Sequence, residues 1–170
     1  MEALYSRVAL RTVASASVLT AWTVFALGSP AVEAQGRATT CELEITTPSP
    51  GDKVDRRGRV QGRAKIPAGS YLWVLAHVKY LREDWWPQGG RAAAIDANGT
   101  WEIMAFYGEP QDIGEDFEIA LAVVNEPMNT QLRQWAQKGK QTGKYPPIEF
   151  PNTIDGCPPV KITVSKSGHR

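Results

Sequence analysis

The sequence predicts an all-β domain, an antiparallel sandwich of short strands with one short inserted helix. Three observations carry this prediction. Residues 71–80 (YLWVLAHVKY) form an unbroken run rich in β-branched and aromatic side chains, while 100–106 and 116–124 alternate in polarity. Gly, Pro, Asp and Asn punctuate the chain between such runs. Only residues 127–139 have a helical repeat, with Met128, Leu132 and Trp135 on one narrow stripe.

The chain opens on an address rather than a strand. Arg7 and Arg11 precede an uncharged run of small and apolar residues over 12–28. Pro30 breaks any helix, and Val32 and Ala34 supply small residues for a cut. This is the pattern of a secretory signal peptide spanning 1–34. The alternative is an uncleaved anchor, for which the apolar run is at the short limit. Cleavage leaves residues 35–170, the size of one domain, with the core expected over about 41–165. The expected location is periplasmic or extracellular, without stable membrane insertion after cleavage.

The first strand is expected at CELEI, where Leu43 and Ile45 alternate. Pro50 and Gly51 then turn the chain. Val60, Gly62, Ala64 and Ile66 share a face of the next strand. In the 71–80 strand, even positions Leu72, Val74, Ala76 and Val78 are assigned to the core. Odd positions Tyr71, Trp73, Leu75, His77 and Lys79 are assigned to a partly covered outer face. Trp85 and Trp86 fall in a loop. Residues 96–99 (DANG) read as a hairpin turn, because Asn and Gly tolerate positive φ. Trp101, Ile103 and Ala105 face inward after it. Phe117, Ile119, Leu121 and Val123 line another inward face, and Val160, Ile162 and Val164 a last one. The Pro-rich stretch before Val160 is an extended connection, and SKSGHR a frayed tail.

Cys41 and Cys157 are the only two cysteines. In an oxidising compartment an even pair is expected to form a disulfide. If the first and last strands lie side by side and parallel, their starts are neighbours and the bridge forms naturally.

The net charge of +1 argues against nucleic acid, which requires a concentrated basic patch. Lys53, Arg56, Arg57, Arg59 and Arg63 cluster, but Asp52 and Asp55 interrupt them, as expected of a solvated loop and edge strand.

The order of a Pro-Gly turn, a Val-x-Gly strand, a Trp-bearing third strand and D-x-N-G-T-W resembles secreted bacterial immunoglobulin-like domains. Y-L-W-V (71–74), W-W-P-Q (85–88), N-G-T-W (98–101) and F-E-I (117–119) are similar to a little-characterised family of that type. The resemblance covers roughly 43–165 and implies an immunoglobulin-like β-sandwich with no single activity. In many such sandwiches the Trp of the third strand is a core residue, which would reverse the face assignment around Trp73. The helix at 127–139 departs from a minimal version of the fold.

No catalytic constellation is legible, and the chain is read as a non-enzyme. His77 is the only histidine inside the domain, and no nucleophile–base or phosphate-binding pattern occurs. Glu83–Asp84 and Glu115–Asp116 are sequence neighbours, a poor arrangement for two carboxyls facing across a sugar cleft. Asp84, Asp96, Asn98, Asp112, Glu115 and Asp116 are hard-oxygen groups in loops but lack calcium-motif spacing. No cofactor or metal is implied.

Recognition remains. Trp85 and Trp86, with Trp73, His77 and Gln88 nearby, offer flat apolar faces and directional hydrogen bonds to a protein or an envelope glycan. The alternative is that both tryptophans fold back and cap the sandwich. The function expected is an exported binding or scaffolding module. A carbohydrate-binding module is the second possibility, and a small secreted enzyme the third.

Overall fold

The computed structural model describes residues 41–168 except Arg82. The expected signal peptide over 1–34 lies outside the described residues, as does His169. The described chain runs β1 (Glu42–Thr47), β2 (Lys53–Val54), β3 (Arg57–Lys65), β4 (Tyr71–Val78), β5 (Trp86–Pro87), β6 (Thr100–Phe106), β7 (Asp116–Val124), α1 (Glu126–Thr142) and β8 (Val160–Lys166). Short 3-10 turns occupy Lys79–Leu81 and Pro110–Asp112. The strands form two sheets, β1-β3-β6 and β2-β8-β7-β4-β5, the second curled as a half-barrel. All pairings are antiparallel except β2 with β8.

The two sheets enclose one core, built by period-two alternation. The three-stranded sheet contributes Val60, Ala64, Trp101, Ile103 and Ala105. The five-stranded sheet answers with Leu72, Val74, Val78, Phe117, Ile119, Leu121, Val123 and Val164. These are the inward sets expected from the alternation in each segment.

The other face of β4 differs from expectation, because it is buried from Trp73 to His77 and only Tyr71 is half-buried. Trp73 and Leu75 belong to a second buried cluster with Trp85, Ala120, Ala122, Val124 and Leu132. A strand buried on both faces reads as a continuous apolar run, which is what 71–78 is. Trp73 thus faces away from the inter-sheet core and is still fully buried, under α1. Its indole Nε1 donates to Asn129 Oδ1 at 3.1 Å, which satisfies both buried polar groups.

The helix is longer than the short one expected at 127–139. Asn125 caps its start by accepting from the Met128 amide at 3.1 Å, and Pro127 lies in the first turn. It ends only at Gly143, in the left-handed conformation at φ 69°. Leu132 and Ala136 are buried, while Met128 and Trp135 are half-buried.

Cys41 and Cys157 are joined by a disulfide, with Cα atoms 4.9 Å apart. The reason is not the one expected. β1 and β8 are not hydrogen-bonded neighbours; it is the short β2 that runs parallel to β8. The bridge precedes β1 of one sheet and β8 of the other, and so ties the sheets together. The Cys41 amide donates to Gly156 O at 3.3 Å beside it.

Two further expectations change. The 96–99 turn exists, with Gly99 at φ 78°. Asp96 accepts from the Asn98 and Thr100 amides at 2.9 and 2.8 Å and from the Thr100 hydroxyl at 2.6 Å. These bonds, the Thr100 hydroxyl foremost, hold its carboxyl below the usual range. It is not a hairpin turn, however. Ala93 bridges to Leu72 of β4, whereas β6 pairs with β3, so the turn lies on a crossover between sheets. The tail is also more ordered than SKSGHR implied. Ser165 and Lys166 complete β8, and the Ser167 amide donates to Val54 O at 2.8 Å. Lys166 is buried because its aliphatic stem packs while its ammonium donates to Glu109 O.

Cys157→Ser should lower the unfolding free energy by about 2–5 kcal/mol, since the bridge closes a long loop of the unfolded chain. Leu121→Ala should cost about 2–5 kcal/mol through lost burial and a cavity. Denaturant titrations check both. A Leu121→Ala cost below about 0.5 kcal/mol would contradict its place in the inter-sheet core.

Candidate functional site

Trp85 and Trp86 are adjacent, so a nearly extended backbone sends their rings to opposite sides. Trp85 is 3% exposed. It stacks on His77 at 4.0 Å between ring centroids and meets Phe150 edge-on at 4.9 Å. Its backbone exchanges two 2.9 Å hydrogen bonds with Ile148. Lys161 Nζ lies 4.7 Å from the Trp85 ring centre and 5.1 Å from that of Phe150. His77, 4% exposed, places Nε2 2.9 Å from Glu118 Oε2, while its Nδ1 has no hydrogen-bond partner. Trp85 therefore plugs the outer face of the five-stranded sheet.

Gln88 is buried too, and its two ends join different sheets. Its Nε2 donates to Trp86 O at 2.8 Å, and its Oε1 accepts from the Phe106 amide of β6 at 2.9 Å. Of the five residues singled out by sequence, Trp73, His77, Trp85 and Gln88 thus lie inside the protein, and Trp86 alone reaches the surface.

Trp86 finds a different set of neighbours. It forms β5 with Pro87, an edge strand on β4, where a proline without an N–H is tolerated. Its Nε1 donates to Tyr145 O at 2.9 Å. The half-buried Trp135 of α1 donates in the same way to Pro146 O at 2.8 Å. The Tyr145 ring is 45% exposed and lies 5.5 Å from that of Trp135. It also covers Gly139, where any Cβ would overlap it. Trp86, Trp135 and Tyr145 thus make a surface cluster. Lys138, Lys140 and Lys144 are exposed on the same stretch of chain and form no ion pair among the described residues.

Sequence reasoning missed Trp135 and Tyr145. Trp135 had been assigned to a helix stripe, and Tyr145 to a connection. One signal was present: Gly139 interrupts an otherwise good helix, and a glycine there is explained by close approach of another group.

Asp112, Tyr80, Lys166 and Asp116 are tied into structural contacts, whereas the buried Trp101 Nε1 and Tyr107 hydroxyl have no hydrogen-bond partner. Asp112 Oδ2 accepts from the Glu109 amide at 2.7 Å, and its Oδ1 from the Tyr80 hydroxyl at 3.0 Å. The latter bond raises the Tyr80 pKa. Burial lowers that of Lys166 beside them. The Ser165 hydroxyl donates to Asp116 at 2.6 Å. Among the described residues, no group of three His, Cys, Asp or Glu is placed to hold a metal ion. The basic stretch is divided up: Arg56 pairs with Glu109 at 2.7 Å, Arg59 with Glu102 at 3.5 Å, and Arg57 lies over Phe106.

No protein-family model matches the chain, and no curated protein is significantly similar to it. Function is therefore read from this geometry.

The two tryptophans should separate by mutation. Trp85→Ala should cost about 3–5 kcal/mol, as for other buried aromatics. Trp86→Ala should cost about 1–2 kcal/mol, from partial burial and one hydrogen bond. Parallel urea titrations measure both, and equal costs would contradict the opposed placement.

Proposed function

We propose that this chain is an exported, non-catalytic binding module of the immunoglobulin-like type. It recognises a protein or cell-envelope component through Trp86 and Trp135. Export to the periplasm or exterior is supported by the disulfide, which persists in oxidising compartments, and by the signal-like pattern of 1–34. No helix among the described residues is long and apolar enough to cross a membrane.

The observation that carries the reading is the fixing of two half-exposed indoles. Each N–H is held by a backbone carbonyl, so the rings are already ordered before any partner arrives. Tryptophan offers a large contact area and is enriched at the centres of binding interfaces. The non-catalytic reading is supported by His77 Nε2, Asp112 and the Lys166 ammonium, which serve structural contacts.

Trp86→Ala and Trp135→Ala should each reduce capture of the partner from envelope extract at least tenfold, while the variants stay folded by circular dichroism. Unchanged capture by a folded double variant would overturn this reading. Trp86-dependent retention on insoluble polysaccharide would instead identify a carbohydrate-binding module.

A further inference from the structure

The ledge formed by Trp86 and Trp135 is already occupied by the chain's own segment 144–147. Tyr145 precedes a proline, and so does Pro146. Proline fixes its own φ and drives the residue before it into an extended conformation, so this segment favours polyproline II geometry. Pro146 and Pro147 lack N–H groups and cannot donate to a sheet ladder. The contacts instead run from the ledge to the segment: two indoles donate to two successive carbonyls, those of Tyr145 and Pro146. Residues 144–147 are exposed, between the helix end at Gly143 and the Ile148 bridge to Trp85.

Aromatic ledges receive proline-rich peptides in this manner, because such peptides are extended before they bind. We propose that Trp86 and Trp135 form a recognition site for an extended, proline-containing, acid-flanked peptide of a partner protein, closed in cis by residues 144–147. The acidic flanks follow from charge. Lys138 and Lys140 of α1, which remain when the segment leaves, are exposed and make no ion pair among the described residues. The helix C-terminus offsets only about half a charge of theirs, so the α1 side of the ledge is positive. This inference rests on the recognition role of Trp86 and Trp135 and specifies the partner.

A tethered segment competes at an effective concentration of order millimolar. The apparent affinity for a peptide is reduced by the fraction of molecules whose ledge is open. Loosening the segment without touching the ledge should therefore strengthen binding. Tyr145→Ala removes the ring from Trp135 and Gly139 but keeps the carbonyl. Pro146→Gly with Pro147→Gly loosens the segment through its backbone.

The test uses the exported full chain and a fluorescent peptide, Glu-Glu-Tyr-Pro-Pro-Ile-Glu-Glu, followed by anisotropy. Tyr145→Ala, or the double glycine variant if that one fails to fold, should bind about tenfold more tightly than the parent. Adding Trp135→Ala should abolish the gain, and replacing both peptide prolines by alanine should weaken binding about tenfold. Equal or weaker binding by both loosened variants overturns the proposal, as does indifference to the prolines. So does a loosened variant that dimerises with concentration instead of binding peptide, since the ledge would then receive the segment of a second copy. If the peptide fails while envelope capture still depends on Trp86, the recognition role stands and only the partner class is wrong. If capture is also independent of Trp86, both fall.

Discussion

The pairing of β4 with β7 is the constraint on which the rest depends. It is in register from Tyr71–Val124 to Val78–Phe117, and both strands are buried on both faces over most of that length. A two-stranded ribbon with two apolar faces must be covered twice. The three-stranded sheet covers one side. The other requires α1, Trp85, Phe150 and the connection that carries Ile148. The helix is thus a second lid on the central ribbon, and its Asn129 satisfies the one indole that β4 sends outward.

This explains which parts were legible in sequence. The inward sets of β3, β6, β7 and β8 alternate with period two, and burial on one face is what that pattern encodes. The 71–78 run does not alternate in the same sense. His77 and Trp73 look like surface residues of mixed character, whereas His77 is covered by the ring of Trp85 and Trp73 by the distant α1. The Cys41–Cys157 bridge was readable from compartment logic, but the strand neighbours that create it were not. β2 is only two residues long, too short to show a pattern, and it takes the place beside β8 that β1 was expected to fill.

At the candidate site the same limit applies more sharply. A Trp-Trp pair signals two large rings but not which one points inward, because a shift of one residue reverses both. Pairing of Trp86 with Ala76 decides it, and the register of that pairing is not written in the Trp-Trp dipeptide. Trp135 joins the site through the helix and Tyr145 through the proline segment, so no contiguous motif exists to be found. Gly139 is the exception. Its missing Cβ is occupied by the Tyr145 ring, and a glycine inside a helix is a visible anomaly even where its partner is not.

The strengths of these contacts place the rigid and the displaceable parts of the molecule in order. The double core and the disulfide hold the platform on which Trp86 and Trp135 sit. The segment at 144–147 is held more weakly, by two indole–carbonyl bonds of about 1 kcal/mol each and a ring contact of about 1 kcal/mol. Together these contacts amount to about 3 kcal/mol. That value is far below a typical global stability of about 5–15 kcal/mol. The proposed exchange therefore asks only this segment to leave, with the Ile148–Trp85 bridge next to it anchored in the second core. In the recognition proposed above, a partner would gain access by exchanging one proline segment for another on an unchanged surface. It must supply contacts worth at least the ones it displaces, which favours a peptide whose flanks also meet the lysines that the chain's own segment leaves unpaired.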